Sequence, residues 1–518
     1  MTAAHIDSAP MTAPPQVSGR AAAMTIVVAG LGFAISAADP TILVTNIAAV
    51  RGGLGLSRST GSFVASLANL MGAATVLGAG ALGDLYGKKR MFAYGLLGSI
   101  FFGVLAAVAP TGAVLMVARA GSGAAFAFLG LALAMVNDLF PPERRKSAIA
   151  LFLATGLAII APLPALGAWL AQQIGWRACL LIAPATAVIG LVLLVRYVPE
   201  TPRAARRLDV TGLVLVAAAL LGLVYGIAQL QNGLTFHTVG PIAVGLIAAG
   251  GFIYHELHTR EPALDLRVFR SKSFNAAMIT GLGWPLVTNG STILFAFYLV
   301  TVRGKTPEVL GLLFIPAMAL QALAATASGR AASRFGDRAT LVTGLCVLLA
   351  GLLTITQLDQ HSSMLVLFLA VTLTSVGGAI IQTPQSTLTM ANAPPELSGA
   401  VSAIRSAICG AGASLGPALF VTVGSWLFAQ DRNRRLVDMH ITAKQGREAF
   451  YLAHGGGDGV AQEGQALDPE LLHQVVQGAE QCMVYTIHTL SLVMSVIPLA
   501  AIVAALVLLP RRSASGQQ

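Results

Sequence analysis

Charge is scarce in this chain of 518 residues: only 10% are Asp, Glu, Lys or Arg, against 55% hydrophobic, and the mean hydropathy is +0.76. A water-soluble fold covers itself with roughly a quarter charged residues, so the composition excludes one. Cysteine is scarce too, and four of them give no disulfide framework. Cys346 and Cys409 fall in mid-helix as small apolar packers, whereas Cys179 and Cys482 near one face leave a single bridge open. The nine histidines are scattered without metal-ligand spacing. Gly455-Gly456-Gly457-Asp458-Gly459 has no following lysine and hydroxyl, so it reads as a flexible turn rather than a phosphate loop, which argues against ATP drive. No nucleophile, base and orienting group fall at a recognisable spacing, which argues against an enzyme. Residues 1–23 lack a cleavable apolar core and read as a disordered cytoplasmic tail, not a signal peptide. The absence of a sizeable cytoplasmic domain weighs against a membrane sensor.

Long apolar runs are what the chain has in plenty. Fourteen of them, each roughly twenty residues and enough to cross about 30 Å of hydrocarbon, run from one centred near Ala37 to one near Met494. The formal charge of +10 invites a nucleic-acid reading, but its placement argues for a topology signal. Lys88, Lys89 and Arg90, then Arg144, Arg145 and Lys146, then Arg330, Arg334 and Arg338, then Arg511 and Arg512 all fall on one side. The other side holds only Arg51, Arg58, Arg177, Arg303 and Lys305 in its short loops. The positive-inside rule then puts both termini in the cytoplasm, with the lipid bilayer, not a nucleic acid, as partner.

A ten-residue pattern occurs twice. Gly80-Ala81-Leu82-Gly83-Asp84-Leu85-Tyr86-Gly87-Lys88-Lys89 joins two apolar runs, and Gly329-Arg330-Ala331-Ala332-Ser333-Arg334-Phe335-Gly336-Asp337-Arg338 joins two more. Such a long period within a membrane protein predicts two duplicated halves facing one another, an architecture of transporters. The expected fold is an all-α integral membrane protein with 14 spans. A six-helix half spans 24–198, a linker with two extra transmembrane helices spans 199–272, and a second six-helix half spans 273–509. A long extracytoplasmic loop is expected over 429–481 and a cytoplasmic tail over 510–518. Within that loop Asp468-Pro469-Glu470 reads as an N-cap, a proline at the first helical position and an acidic first turn, opening a short amphipathic helix.

Ionisable residues inside spans cost about 2.5–3.5 kcal/mol on insertion scales and are functional candidates by default. Asp39 precedes Pro40, which disfavours helix at the residue before it and predicts a break. Two compatible readings stand: a carboxyl that loads and releases a proton or responds to substrate, or a cap for the Thr41 or Ile42 amides. Arg119 is either the charge partner of Asp39 or an anchor bonded to neighbouring carbonyls. Arg405 lies near a helix end, and snorkelling to the cytoplasm is the favoured reading. Trp284-Pro285, Asn289, Tyr298 and the pair Gln382 and Gln385 around Pro384 are candidates to line a central cavity, since proline frees carbonyls within a span. Asn and Gln also glue helices together, which is the plainer reading.

At these positions the chain resembles the major facilitator superfamily, and in particular its fourteen-helix drug:proton antiporter branch. Gly80 to Arg90 is similar to the superfamily signature, and the resemblance implies that Gly83, Asp84, Gly87, Lys88, Lys89 and Arg90 form a latch governing a conformational switch. Leu115 to Gly123 resembles the helix-four motif with its buried arginine, here Arg119, with Ser122 where glutamine is usual. Pro164-Ala165-Leu166-Gly167, with Trp176-Arg177, looks like the helix-five antiporter motif, with Leu163 and Ala168 where glycines are usual. Ala38-Asp39-Pro40-Thr41 with Asn46 resembles the helix-one motif, and Glu261 to Phe269 the linker after the two extra helices.

The reading implied is a proton-coupled secondary transporter of the bacterial cytoplasmic membrane. It exports amphipathic small molecules as a monomer, with the proton gradient as energy source and no cofactor or metal. The alternatives are a facilitator or lipid translocator without proton coupling, and a non-transporting sensor.

Overall fold

The computed structural model describes residues 19–510 apart from 57, 202, 204–208, 229–234, 260–265, 306, 392–396 and 439–468. Every regular element among them is helical. The first half comprises α1 (Gly19–Thr45), α2 (Ile47–Leu54), α3 (Arg58–Tyr86), α4 (Lys88–Ala107) and α5 (Gly112–Leu129), followed by α6 (Ala132–Leu139), α7 (Pro142–Ile160), α8 (Leu163–Gln173), α9 (Trp176–Cys179) and α10 (Ile182–Tyr197). The hairpin α11 (Val210–Ala228) and α12 (Phe236–His258) comes next. The second half holds α13 (Lys272–Phe297), a π-helical turn Tyr298–Val302, α14 (Pro307–Phe335), α15 (Asp337–Ile355), α16 (Met364–Ala391), α17 (Ser398–Asp438), α18 (Pro469–Met494) and α19 (Val496–Leu508). α11 packs on α12 and also touches α3 and α17, so the extra hairpin leans on the seam between the halves.

Thirteen stretches of the described helices are long and apolar enough to cross a membrane. α13 is not among them: Lys272, Asn275, Trp284, Pro285 and Asn289 dilute its apolar character. Large apolar side chains such as Phe101, Val104, Val192, Val195, Leu323 and Val503 point outward, as hydrocarbon-facing residues do. Inside, two apolar clusters form. The second lies within the second half. The first belongs mostly to the first half but reaches Phe274, Ala277, Val401, Ala403 and Ile404, so one end of the bundle is packed across the seam.

Two expectations are corrected. The break at Pro40 is absent, because α1 runs through it to Thr45 and turns only at Asn46. Proline removes one intrahelical bond, to Ser36, which a packed membrane helix absorbs. The long loop is shorter than expected: α17 continues to Asp438, and α18 starts at Pro469 and runs on into the last span rather than forming a separate amphipathic helix. Asp468 and the glycine run 455–459 lie outside the described residues, as do 1–18, 261–265 and 511–518. All four cysteines are free, so the bridge left open between Cys179 and Cys482 is not formed.

The two repeats fold alike. α3 ends at Tyr86 and α14 at Phe335, and the next residue, Gly87 or Gly336, has φ of 97° or 90°. A side chain is strained there, which explains glycine at both places. The next helix begins at once with Lys88 or Asp337.

Candidate functional site

The end of the bundle that carries the two repeats is built on close approach. A Cβ on Gly80 would stand 2.6 Å from the Ala403 Cβ and 2.8 Å from the Gly399 carbonyl oxygen. Glycine there lets α3 reach α17. A Cβ on Gly329 would overlap that of Ala150 on α7. Gly80 and Gly329 are 249 positions apart, and so are Ala150 and Gly399, so the two contacts are copies of one another across the seam.

Asp84 fills the first contact. Its Oδ1 accepts from Gly399 N at 2.8 Å and its Oδ2 from Ala400 N at 2.9 Å, so the carboxylate caps the start of α17, where free amides and the helix dipole favour an anion. Lys88 Nζ sits between Asp84 Oδ1 at 3.0 Å and Asp138 Oδ2 at 2.8 Å. The Lys88 backbone N–H donates to Thr201 Oγ1 at 2.7 Å, Ser398 Oγ donates to Asp138 at 3.1 Å, and Ser402 Oγ donates to the Gly130 carbonyl. The second contact carries the ion pair Lys146–Asp337 at 2.7 Å, with Thr387 Oγ1 donating to the other Asp337 oxygen.

Gly83, against Leu131, and Gly87 shape this contact between the halves, and Asp84 and Lys88 form it. Lys89 joins none of these bonds, and exposed Arg90 turns to the Tyr94 hydroxyl on its own helix. Nothing in the sequence singles out Asp138, Thr201, Ser398 or the Lys146–Asp337 pair as a site. Asp337 stood within the repeat and Lys146 within a basic cluster that otherwise reads as topology.

Within the first half, Asp39 and Arg119 meet: Arg119 Nη1 donates to Asp39 Oδ2 at 2.5 Å, with Asp39 4% and Arg119 1% exposed. Arg119 Nε and Nη2 are buried without hydrogen-bond partners, so Arg119 is a charge partner and not a carbonyl anchor. The cap reading of Asp39 fails because α1 is continuous there and the Thr41 hydroxyl bonds back to Ala37. Small residues bring the neighbours in. A Cβ on Gly167, in the α8 segment that starts Leu163-Pro164, would lie 2.8 Å from Ile42, one turn beyond Asp39 on α1. One on Gly123, one turn beyond Arg119, would overlap the Ala68 carbonyl. Arg177 stacks on the Trp176 ring at 4.3 Å and donates to Ala109 O, fixing the boundary of the α8 segment.

The second-half candidates divide. Trp284, Gln382, Gln385 and Arg405 gather where α13, α16 and α17 meet. Arg405 is half-buried and donates through Nε to Gln385 Oε1 at 2.9 Å; it faces inward rather than snorkelling. Asn289 is exposed and donates to the Pro285 carbonyl of its own helix. Tyr298 is buried far from these, its hydroxyl donating to the Asp359 carbonyl, where Arg303 also holds the carbonyls of Gln360 and Ser362. It pins the 356–363 turn and lines no cavity with the others. A cavity of about 700 Å³ does exist at the end that carries the repeats, lined by Lys146, Asp337, Arg338, Phe335, Leu506 and Leu509 among others. None of the residues expected to line a cavity borders it.

Residues 18–417 match the family model of the Major Facilitator Superfamily. The chain is similar to the multidrug resistance protein Stp of Mycobacterium tuberculosis, 31% identical over 417 residues that cover 78% of this chain and 76% of that protein. It is similar to the tetracenomycin C resistance and export protein of Streptomyces glaucescens, 28% identical with 76% and 74% covered. Its fold is similar to that of the human organic anion transporter MFSD10, with TM-score 0.60 at 16% identity, covering 93% of this chain and 100% of that one. The proton:xylose symporter XylE gives 0.57 at 13% identity, with 92% and 94% covered. A helical bundle with one loop motif repeated in each half, with these relatives, is a transporter and not an enzyme: this chain is a multi-pass protein of the cytoplasmic membrane and belongs to the Major Facilitator Superfamily.

Proposed function

We propose that this transporter exports amphipathic small molecules by alternating access and is driven by protons moving inward, as a monomer with fourteen spans and both termini in the cytoplasm. The observation that carries the reading is the Asp39–Arg119 pair, buried in the first half with two guanidinium nitrogens left without partners. A charge pair is expensive to keep in an apolar interior unless it does something there. Its chemistry fits proton coupling. The Asp39 carboxyl is the one acceptor of the Arg119 fork; a proton taken up there from the end opposite the latch frees the guanidinium to find other acceptors. α1 and α5 then shift against one another, and the contacts of Gly167 with Ile42 and of Gly123 with Ala68 transmit the shift.

Opening at the other end requires the Asp84 and Lys146–Asp337 contacts to part. An anion at a helix start gains about 0.3–1 kcal/mol from the dipole, a bias small enough for a rocking motion to overcome. The relatives named for multidrug resistance and for export support a drug-like cargo and an outward direction. Leu163 and Ala168, half-buried on α8 where the antiporter motif usually has glycines, favour a second reading as a facilitator without proton coupling.

Purified protein in proteoliposomes, given fluorescein, Nile red or ethidium under an imposed pH gradient, separates the two. Acceleration of dye movement by the gradient, lost in Asp39→Asn, supports coupling. Movement indifferent to the gradient sinks coupling and leaves the facilitator.

A further inference from the structure

The second half holds an inward-facing cation for which no described residue supplies the countercharge. Asp39 answers Arg119, and Lys88 lies between Asp84 and Asp138. Arg405 has only a neutral amide oxygen: Gln385 Oε1 accepts from its Nε at 2.9 Å, and no carboxylate among the described residues lies against it. A guanidinium carries five N–H donors in a flat fork, so one neutral acceptor leaves most of it unused.

The surroundings hold that fork in place. Gln385 is fully buried, and its Nε2 donates to the Ala277 carbonyl at 3.3 Å. A Cβ on Gly281 would stand 2.7 Å from that nitrogen and 3.5 Å from Cys409 Sγ, so glycine leaves Gln385 just enough room between α13 and α17. With its amide nitrogen committed, Gln385 can offer Arg405 only its oxygen. Gly378, Gln382 and Gln385 lie on one face of α16, and Ala277, Gly281 and Trp284 on one face of α13. The Trp284 ring lies against Gly378. Two further polar atoms on these faces are buried without partners: the Trp284 indole N–H and the Gln382 side-chain amide oxygen Oε1. Buried groups of this kind are rare unless something else completes them.

We propose that Arg405, oriented by Gln385, is the docking point for an anionic group on the transported molecule, a carboxylate or an acidic phenol. Trp284 N–H and Gln382 Oε1 offer one neutral donor and one neutral acceptor to the same cargo. The cargo class is therefore amphipathic organic anions, which the guanidinium fork takes through two parallel charge-assisted bonds. This rests on the transport reading and names the substrate class of that site.

The test uses full-length protein in proteoliposomes with fluorescein as the anion and Nile red as the neutral amphiphile. Wild type moves both. Arg405→Gln lowers fluorescein transport about tenfold or more, the size of a lost charge-assisted bond, and leaves Nile red transport unchanged, which also shows that the variant is folded. Arg405→Lys retains part of the fluorescein transport. Gln385→Glu keeps the arginine but pairs it with a carboxylate, and weakens fluorescein binding to detergent-purified protein by a similar factor. Fluorescein transport that survives Arg405→Gln, or fluorescein binding unchanged in Gln385→Glu, overturns the assignment. So does a wild type that moves Nile red but not fluorescein, and in that case transport itself stands. Movement of no dye by wild type overturns the transport reading and this one with it.

Discussion

Asp84 and Gly399 are 315 positions apart in sequence and joined by a 2.8 Å hydrogen bond, the carboxylate accepting from the backbone N–H. Because the other oxygen takes Ala400 N and the side chain also meets Lys88, one residue ties the first half to the start of α17. Asp84→Asn keeps one acceptor and loses the charge, weakening the tie by about 1–3 kcal/mol. Transport should fall about five- to tenfold with folding intact, measured as dye efflux at matched expression. Unaltered efflux would show that the tie plays no part in the switch.

The glycine copies give a second prediction. Gly80→Ala places a methyl group against Ala403 and the Gly399 carbonyl, and must push α17 away from α3. A cysteine at Ser402, a fully buried position beside Gly130, should react with a maleimide in the Gly80→Ala background and resist it otherwise. Gly329→Ala, which pushes α14 from α7, should open the same position.

Lys146 and Asp337 form the pair at the second contact. Lys146→Glu or Asp337→Lys alone juxtaposes like charges and should slow transport. The double exchange should recover most of the rate, apart from the share owed to the Thr387 bond with Asp337. No recovery in a dye-efflux assay would mean that the pair acts through something other than mutual attraction.

Asp39 and Arg119 make a stability prediction distinct from the transport one. Arg119→Gln leaves a buried carboxylate uncompensated, and removing one partner of such a pair costs about 3–5 kcal/mol. The double variant Asp39→Asn with Arg119→Gln should melt higher in detergent than Arg119→Gln alone, although neither is driven by the gradient. Equal melting temperatures would contradict the burial of the pair.

The 356–363 turn titrates in an acid range. The Ser362 hydroxyl, then the His361 backbone N–H, hold the exposed Asp359 carboxyl below its ordinary value of 3.8. A depressed folded value means that the turn gains order from this group at all pH above about 3.8, and that the gain disappears as pH falls through the lower folded value. Protection of the His361 amide against hydrogen exchange should drop on acidification, and Asp359→Asn should make it independent of pH in that range.

The sequence made the architecture legible because length, apolarity and the placement of lysine and arginine are constraints of the bilayer itself. Asp39 and Arg119 could be paired in advance because charges within apolar runs have few places to go. Asp138, Thr201 and Ser398 could not be, because each acts through a partner far along the chain and none is unusual in its own neighbourhood. Arg405 was misplaced for a related reason. Its distance from a helix end allows escape to water, and only the fold reveals Gln385 behind it. Pro40 misled because proline breaks an isolated helix, whereas a helix wedged among others keeps its course.

α17 has a mechanical consequence. At 41 residues it is about 60 Å long, twice the hydrocarbon thickness of about 30 Å. It is anchored to Asp84 by its first turn, and near its far end Arg435 bonds Gln481 of α18. The helix is thus a lever with its fulcrum in the bilayer. A tilt of a few degrees at the clasped base becomes several ångströms of travel at the tip, where a pair of spin labels would report each turn of the cycle from outside the lipid.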